Sequence, residues 1–112
     1  MMDELYVLNF DLDNDAMVDE MHRHSDRAAV LNALVMMKEA EYRHWRATKG
    51  QEILAADPKL AEWKVSQQIE SDDEFNNRKQ DIANIIERRD RHAALAQAYK
   101  TALDLRSSIS KL

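Results

Sequence analysis

Helix-breaking residues are almost absent from this chain, since Gly50 is the single glycine and Pro58 the single proline among 112 residues. Apolar residues form 45% of the chain and charged residues 33%, which is enough for one buried face and one solvated face. Residues that favour helices, such as Ala, Leu, Glu, Lys and Arg, dominate the remaining positions. The sequence therefore predicts an all-α fold, in the form of one small helical domain.

The longest predicted helix is C-terminal and covers residues 72–111. It begins at a predicted capping box, in which Ser71 and Glu74 can bond each other's free backbone amides. No glycine or proline follows, and apolar residues recur at helical spacing as far as Leu103. At about 1.5 Å per residue, this helix spans roughly 60 Å.

Two earlier helices are predicted, at about residues 26–49 and 58–69. Ser25 is a suitable N-cap for the first, and Gly50 suits the left-handed position that often ends a helix. The dipeptide Asp57–Pro58 resembles the cap and the first residue of the second helix.

Charge is distributed unevenly along the chain, whose net charge is -5. Residues 1–20 carry seven acids and no base, and the segments 21–49, 50–76 and 77–112 have net charges of +3, -5 and +4. We expect residues 1–20 to form an acidic N-terminal arm that includes the start of a first helix. Residues 21–112 are then expected to form the helical domain.

The long C-terminal helix is predicted to associate with other copies of the chain. A compact domain of this length has a radius of gyration of about 13 Å, so a helix of roughly 60 Å would extend beyond it. We expect a homo-oligomer in which helix packing covers the exposed seam. The predicted interface residues are Phe75, Ile82, Ile86, Arg89, Tyr99 and Leu103.

Several classes of protein are not expected. The chain has no cysteine, which excludes disulfides, thiolate zinc sites and cysteine nucleophiles. No run approaches the roughly 18 apolar residues of a membrane span, and Asp3 and Glu4 stand where a signal peptide would be basic. Glycine-rich phosphate loops and nucleophile motifs are absent. We therefore expect a cytoplasmic protein that is not an enzyme and needs no metal or other cofactor.

The histidines are not expected to bind a metal. His22 and His24 are two residues apart, a spacing that points their rings to different sides of a helix. His44 and His92 lie in polar stretches among arginines, so we expect both on the surface.

The end of the helix predicted at residues 26–49 combines aromatic and basic side chains. Arg43, Arg46 and Lys49 could hold phosphates while Trp45 stacks on a base, as in proteins that bind single-stranded nucleic acid. In the alternative interpretation, Trp45 belongs to the apolar core and the cations favour the C-terminus of the helix.

The layout of residues 25–112 resembles the UvsY-like family of phage recombination mediators. The resemblance rests on the end of the earlier helix, on the segment Trp63–Phe75 and on a long final helix. The residues that carry it are Glu41, Tyr42, Lys49, Ser71, Asp72, Asp73, Glu74, Tyr99, Leu103, Arg106 and Ile109. It implies a homo-oligomer that binds single-stranded DNA, a RecA-type recombinase and a single-strand-binding protein. It also implies that basic residues near the end of the earlier helix, here Arg46 and Lys49 with Arg43 nearby, contact DNA.

Two functions follow as hypotheses. The first is a non-enzymatic, homo-oligomeric adaptor that binds single-stranded DNA and a recombinase. The second is a protein-binding module or phage-type inhibitor, whose acidic arm mimics nucleic acid on a basic partner surface.

Overall fold

The computed structural model describes residues 8–111, which form three α-helices and no strand. The helices are α1 (Asn14–Ala56), α2 (Glu62–Glu70) and α3 (Asp73–Ser110). The predicted all-α fold and the long C-terminal helix are confirmed. The apolar residues Leu5, Tyr6 and Val7 of the acidic arm lie outside the described residues.

Helix α1 is much longer than the helix predicted at residues 26–49. It begins after Asp13, whose carboxylate accepts a hydrogen bond from the amide of Ala16 at 2.8 Å. Ser25 lies within the helix instead of capping it, because α1 begins at Asn14, about three turns earlier. Helix α1 also runs without interruption through the predicted boundary between residues 20 and 21.

The prediction that Gly50 ends a helix is wrong, because α1 continues to Ala56 and Gly50 does not have a positive φ. A Cβ at this position would stand 3.8 Å from Ile69 Cδ1 and 3.9 Å from Val65 Cγ1. Glycine permits the left-handed conformation but does not impose it. Here the packing of α2 against this part of α1 stabilises the continuous helix, since tertiary contacts commonly outweigh intrinsic propensity.

Helix α2 begins four residues later than predicted, at Glu62. Residues 57–60 form a turn instead, in which the amide of Leu60 donates to the carbonyl of Asp57 at 3.1 Å. The fixed φ of Pro58 suits the second position of such a turn as well as it suits the start of a helix.

Helix α3 covers nearly the residues predicted, but its cap is different from the predicted capping box. Asp72 accepts the amide of Glu74 at 2.8 Å, and Ser71 donates its hydroxyl to the carbonyl of Gln67 at 2.8 Å. Ser71 therefore belongs to the end of α2 and Asp72 caps α3. The Glu74 carboxylate pairs with Arg78 instead of returning to Ser71.

The chain forms two compact units. Unit 1 combines the chain up to Asn32 with α3 from Ile86 onward. Its contacts join early residues of α1 to late residues of α3, so these two segments run antiparallel. The fully or nearly fully buried side chains of unit 1 are Met17, His24, Leu31, His92 and Tyr99.

Unit 2 contains residues 33–85, which comprise the rest of α1, all of α2 and the start of α3. Val35, Val65 and Ile69 are its buried apolar side chains. The rings of Tyr42 in α1 and Phe75 in α3 contact each other within this unit, with their centres 6.2 Å apart. Helix α2 thus buries one apolar face, as its spacing of four residues between Val65 and Ile69 predicts.

The length of α3 alone does not require neighbouring copies. Helix α1 has 43 residues and α3 has 38, and residues of α1 contact α3 within each unit. Within each unit, residues of α1 thus contact the part of α3 that the unit contains, and neither Ser25 nor Gly50 interrupts α1. The prediction of a homo-oligomer therefore depends on the surfaces that remain exposed.

Candidate functional site

The residues predicted to bind nucleic acid lie on α1 in unit 2, and two of them already pair with acids. Arg46 lies 3.7 Å from the Glu70 carboxylate of α2 and donates to the Tyr42 hydroxyl at 3.2 Å. The Lys49 ammonium lies 3.2 Å from Asp72, the cap of α3. Phosphate binding by Arg46 or Lys49 would compete with these contacts.

The Asp72 carboxylate is stabilised in its charged form. The hydrogen bond from the Glu74 amide, and then the bond from Lys49, hold the pKa of Asp72 below its ordinary value. Lys49 therefore has a partner that stays ionised at neutral pH. In this structure Lys49 links the end of α1 to the start of α3.

Trp45 is half-buried and has a cation beside its ring. The Arg78 guanidinium lies 5.5 Å from the centre of the Trp45 ring, and the Lys79 ammonium lies 5.5 Å from the centre of the Tyr42 ring. Arg78 and Lys79 were not among the residues predicted to bind nucleic acid. Position 78 is three residues after Phe75 and four before Ile82, so the α3 seam spacing could have indicated it.

Arg43 differs from the other predicted phosphate ligands. It is exposed, and no hydrogen bond or ion pair joins it to another residue of the described part of the chain. A shallow groove lies beside Trp45 on the same helix. Its lining consists of Ala40, Glu41, His44, Trp45, Thr48 and Arg78. Of the predicted residues, Arg43 is therefore exposed, and Trp45 lines this groove together with Arg78 of α3.

Several predicted interface residues pack inside the chain. Tyr99 is 1% exposed and stacks on the ring of His24, so its side chain is fully used within unit 1. Arg89 donates to the Asn32 side chain of α1 at 2.9 Å. Both residues lie on the side of α3 that faces α1 within unit 1, and not on the opposite side of the helix.

Phe75 contacts Tyr42 within unit 2. Ile82, Ile86 and Leu103 are half-buried, and their role between copies stays a prediction.

A different surface of unit 1 exposes large apolar side chains. Phe10, Leu105 and Ile109 are 55%, 60% and 58% exposed. They border a groove of about 710 Å³ that also contains three alanines and one threonine of α3. We call this surface the unit 1 apolar face; it consists of Phe10, Ala94, Ala98, Thr101, Ala102, Leu105 and Ile109.

Among the residues that line this groove, Arg106 is the only charged one, although one third of the chain is charged. Its guanidinium donates to the carbonyl oxygens of Phe10 and Leu12 at 2.6 and 2.8 Å. This face was not predicted, because it lies outside the apolar seam of α3 from which the interface residues were predicted. The spacing Ala94, Ala98, Thr101, Leu105 is a second helical stripe that could have indicated it.

The segment from Asn9 to Leu12 is held against α3 in unit 1. The amide of Asn9 donates to the Tyr99 hydroxyl at 3.1 Å, and Arg106 binds the carbonyls at positions 10 and 12. The described part of the acidic arm is thus packed on the helices. Its proposed mimicry of nucleic acid stays a prediction.

The prediction that His92 lies on the surface is wrong. His92 is 1% exposed and its Nδ1 lies 2.8 Å from the Nδ1 of His24, because the antiparallel packing of unit 1 brings the two together. Within residues 8–111, no three His, Cys, Asp or Glu side chains are grouped closely enough to hold a metal ion. Nor does any helix in this range have the length and apolar character needed to cross a membrane.

No protein family model, curated protein or solved structure is detectably similar to the chain. The resemblance to UvsY-like mediators therefore stays a prediction.

Proposed function

We propose that the protein is a non-enzymatic helical adaptor that pairs with a second copy of itself through the unit 1 apolar face. The observation that supports this proposal is the exposure of Phe10, Leu105 and Ile109 around one groove, in which the charged group of Arg106 is bonded to backbone carbonyls. Exposed apolar patches of this kind commonly mark interaction sites, and charged residues are depleted in the centres of interfaces.

A second copy suits this face because its large and small residues are equally spaced. Ala94 and Ala98 are four residues apart, as are Leu105 and Ile109. In a two-fold antiparallel pairing of α3 helices, Leu105 of each copy meets Ala98 of the other, and Ile109 meets Ala94. Each contact then occurs twice, as a closed two-fold interface requires.

Cysteine cross-linking tests this pairing without background, because the chain has no cysteine. Thr101 lies near the centre of the proposed interface, so Thr101→Cys should form a disulfide-linked dimer on mild oxidation. Val30→Cys is the matched control, since Val30 is 63% exposed in unit 1 but does not line the apolar face. Equal cross-linking of the two variants, or none at position 101, would contradict the proposal.

Single-stranded DNA is the second candidate ligand, with a RecA-type recombinase or a single-strand-binding protein as its associated partner. The supporting observation is that Arg43 is exposed on the same helix as Trp45, whose ring has Arg78 beside it. Arginines can contact the phosphates of a single strand while an aromatic ring stacks on a base. Arg46 and Lys49 take a smaller part in this version of the site, because both pair with carboxylates.

A salt titration tests the DNA hypothesis. If Arg43 contacts one phosphate, Arg43→Gln should lower the slope of log affinity against log salt by about 0.7 for a single strand. The measurement is fluorescence anisotropy of a labelled oligothymidylate at several salt concentrations. Lys100→Gln is the matched control, because it removes one exposed charge from unit 1. Failure of the unmodified protein to bind at low salt would eliminate this candidate.

A further inference from the structure

The most unusual buried group of the molecule is a pair of histidines in unit 1. His24 of α1 and His92 of α3 are 0% and 1% exposed, and their Nδ1 atoms are 2.8 Å apart. This separation is that of a hydrogen bond, which needs a proton on one nitrogen and a lone pair on the other. The pair therefore restricts the number of protons that the two rings can carry together.

An arginine and a carboxylate both lie near the other ring nitrogen of His24. An Arg23 nitrogen is 3.3 Å from the Nε2 of His24, and a Glu20 oxygen is 3.5 Å from it. A guanidinium only donates hydrogen bonds and a carboxylate only accepts them, so these contacts accommodate both neutral tautomers of His24. In either tautomer, only one proton lies between the two Nδ1 atoms.

Charged groups surround this pair on both helices. On α1, Glu20 lies 3.5 Å from the Nε2 of His24 and 2.7 Å from Arg23, and Arg27 follows within one turn. The hydrogen bond from Arg23 lowers the pKa of Glu20, so this carboxylate stays ionised in weak acid. On α3, the ring of Tyr99 stacks on His24, and Arg88 and Arg91 lie within about one turn of His92.

We propose that the His24–His92 pair is a pH-sensitive contact that holds unit 1 together only while at most one of the two rings is cationic. When both rings are protonated, each Nδ1 carries a hydrogen, and two N–H groups at 2.8 Å cannot form a bond. The two cationic rings, whose centres are 5.0 Å apart, also repel each other, so the helices must separate locally.

The opening of this contact would also affect the segment from Leu8 to Leu12. Tyr99 stacks on His24, and its hydroxyl accepts the amide of Asn9. Movement of the His24 ring therefore removes the stacking contact that holds the Tyr99 ring in place. The segment from Leu8 to Leu12 would lose a contact with α3 in weak acid.

The sign of the pH effect follows from the number of bound protons. Relative to their neutral forms, the two histidines of the unfolded chain together bind two protons in weak acid. The folded pair binds one at most. Stability therefore falls as the pH falls. A histidine of the unfolded chain has an ordinary pKa of about 6.5. If the folded state binds one proton fewer than the unfolded state, the equilibrium constant for unfolding increases roughly 30-fold between pH 7.5 and pH 5.

Chemical denaturation at pH 7.5 and pH 5.0 tests this proposal. Between pH 7.5 and pH 5.0, the equilibrium constant for folding should decrease by a factor that is at least roughly 30 times larger for the unmodified protein than for the double variant His24→Leu/His92→Leu. His92→Gln, which keeps a hydrogen-bonding side chain but cannot titrate, should also lose less than the unmodified protein.

The matched control is His22→Gln/His44→Gln, which removes two exposed histidines and should retain the full acid sensitivity. The carboxylates that also titrate in this range are the same in all variants. Their contribution therefore cancels when the changes in stability between the two pH values are compared among variants. If the variants that lack the buried pair lose as much stability in acid as the unmodified protein, the proposal is overturned.

Discussion

Replacement of Tyr99 by alanine is expected to lower the free energy of unfolding by about 3–5 kcal/mol, as for other large buried aromatic residues. Tyr99 is 1% exposed, stacks on His24 and binds the amide of Asn9 through its hydroxyl. Its loss leaves a cavity in unit 1 and removes the anchor of the N-terminal segment. Chemical denaturation monitored by helical circular dichroism measures this change.

Tyr99→Phe separates packing from hydrogen bonding. It keeps the ring and removes only the hydroxyl, so a loss of about 0.5–1.5 kcal/mol is expected. A loss below about 1 kcal/mol for Tyr99→Ala would mean that this side chain is not buried against α1 in solution.

Leu105→Glu is expected to weaken the association of two copies at least about 100-fold. Burial of one leucine contributes about 1.5–3 kcal/mol, and a two-fold interface loses this contribution twice. The introduced carboxylate also has to be desolvated. A change of about 3 kcal/mol already corresponds to a factor of about 100 in the dissociation constant.

Val30→Glu is the control for this prediction. Val30 is also an exposed apolar residue of unit 1, so the substitution adds the same charge to a helix outside the apolar face. Sedimentation velocity should show weaker association for Leu105→Glu and unchanged association for Val30→Glu. Equal effects of the two variants would mean that net charge, and not the apolar face, controls association.

The all-α fold could be predicted because propensity and composition agree along the whole chain. The ends of the helices were harder to predict, since Ser25, Gly50 and Pro58 each suit more than one local structure. Their actual roles depend on contacts that are distant in sequence. Gly50 lies within α1, six residues before its end, and Val65 and Ile69 of α2 lie beside it.

The candidate site could be predicted only in part for the same reason. Arg43, Arg46 and Lys49 look equivalent on one helix, but Glu70 and Asp72 pair with the last two. The charge pattern of α1 does not reveal which acids α2 and α3 bring near. His24 and His92 are 68 residues apart, and only the antiparallel register of unit 1 makes them partners.

Sedimentation equilibrium of the unmodified protein over a wide range of concentrations tests self-association most directly. One chain has a mass of 13.0 kDa. The proposed pairing predicts an average mass that rises with concentration toward twice this value. A mass of one chain at every concentration would contradict it.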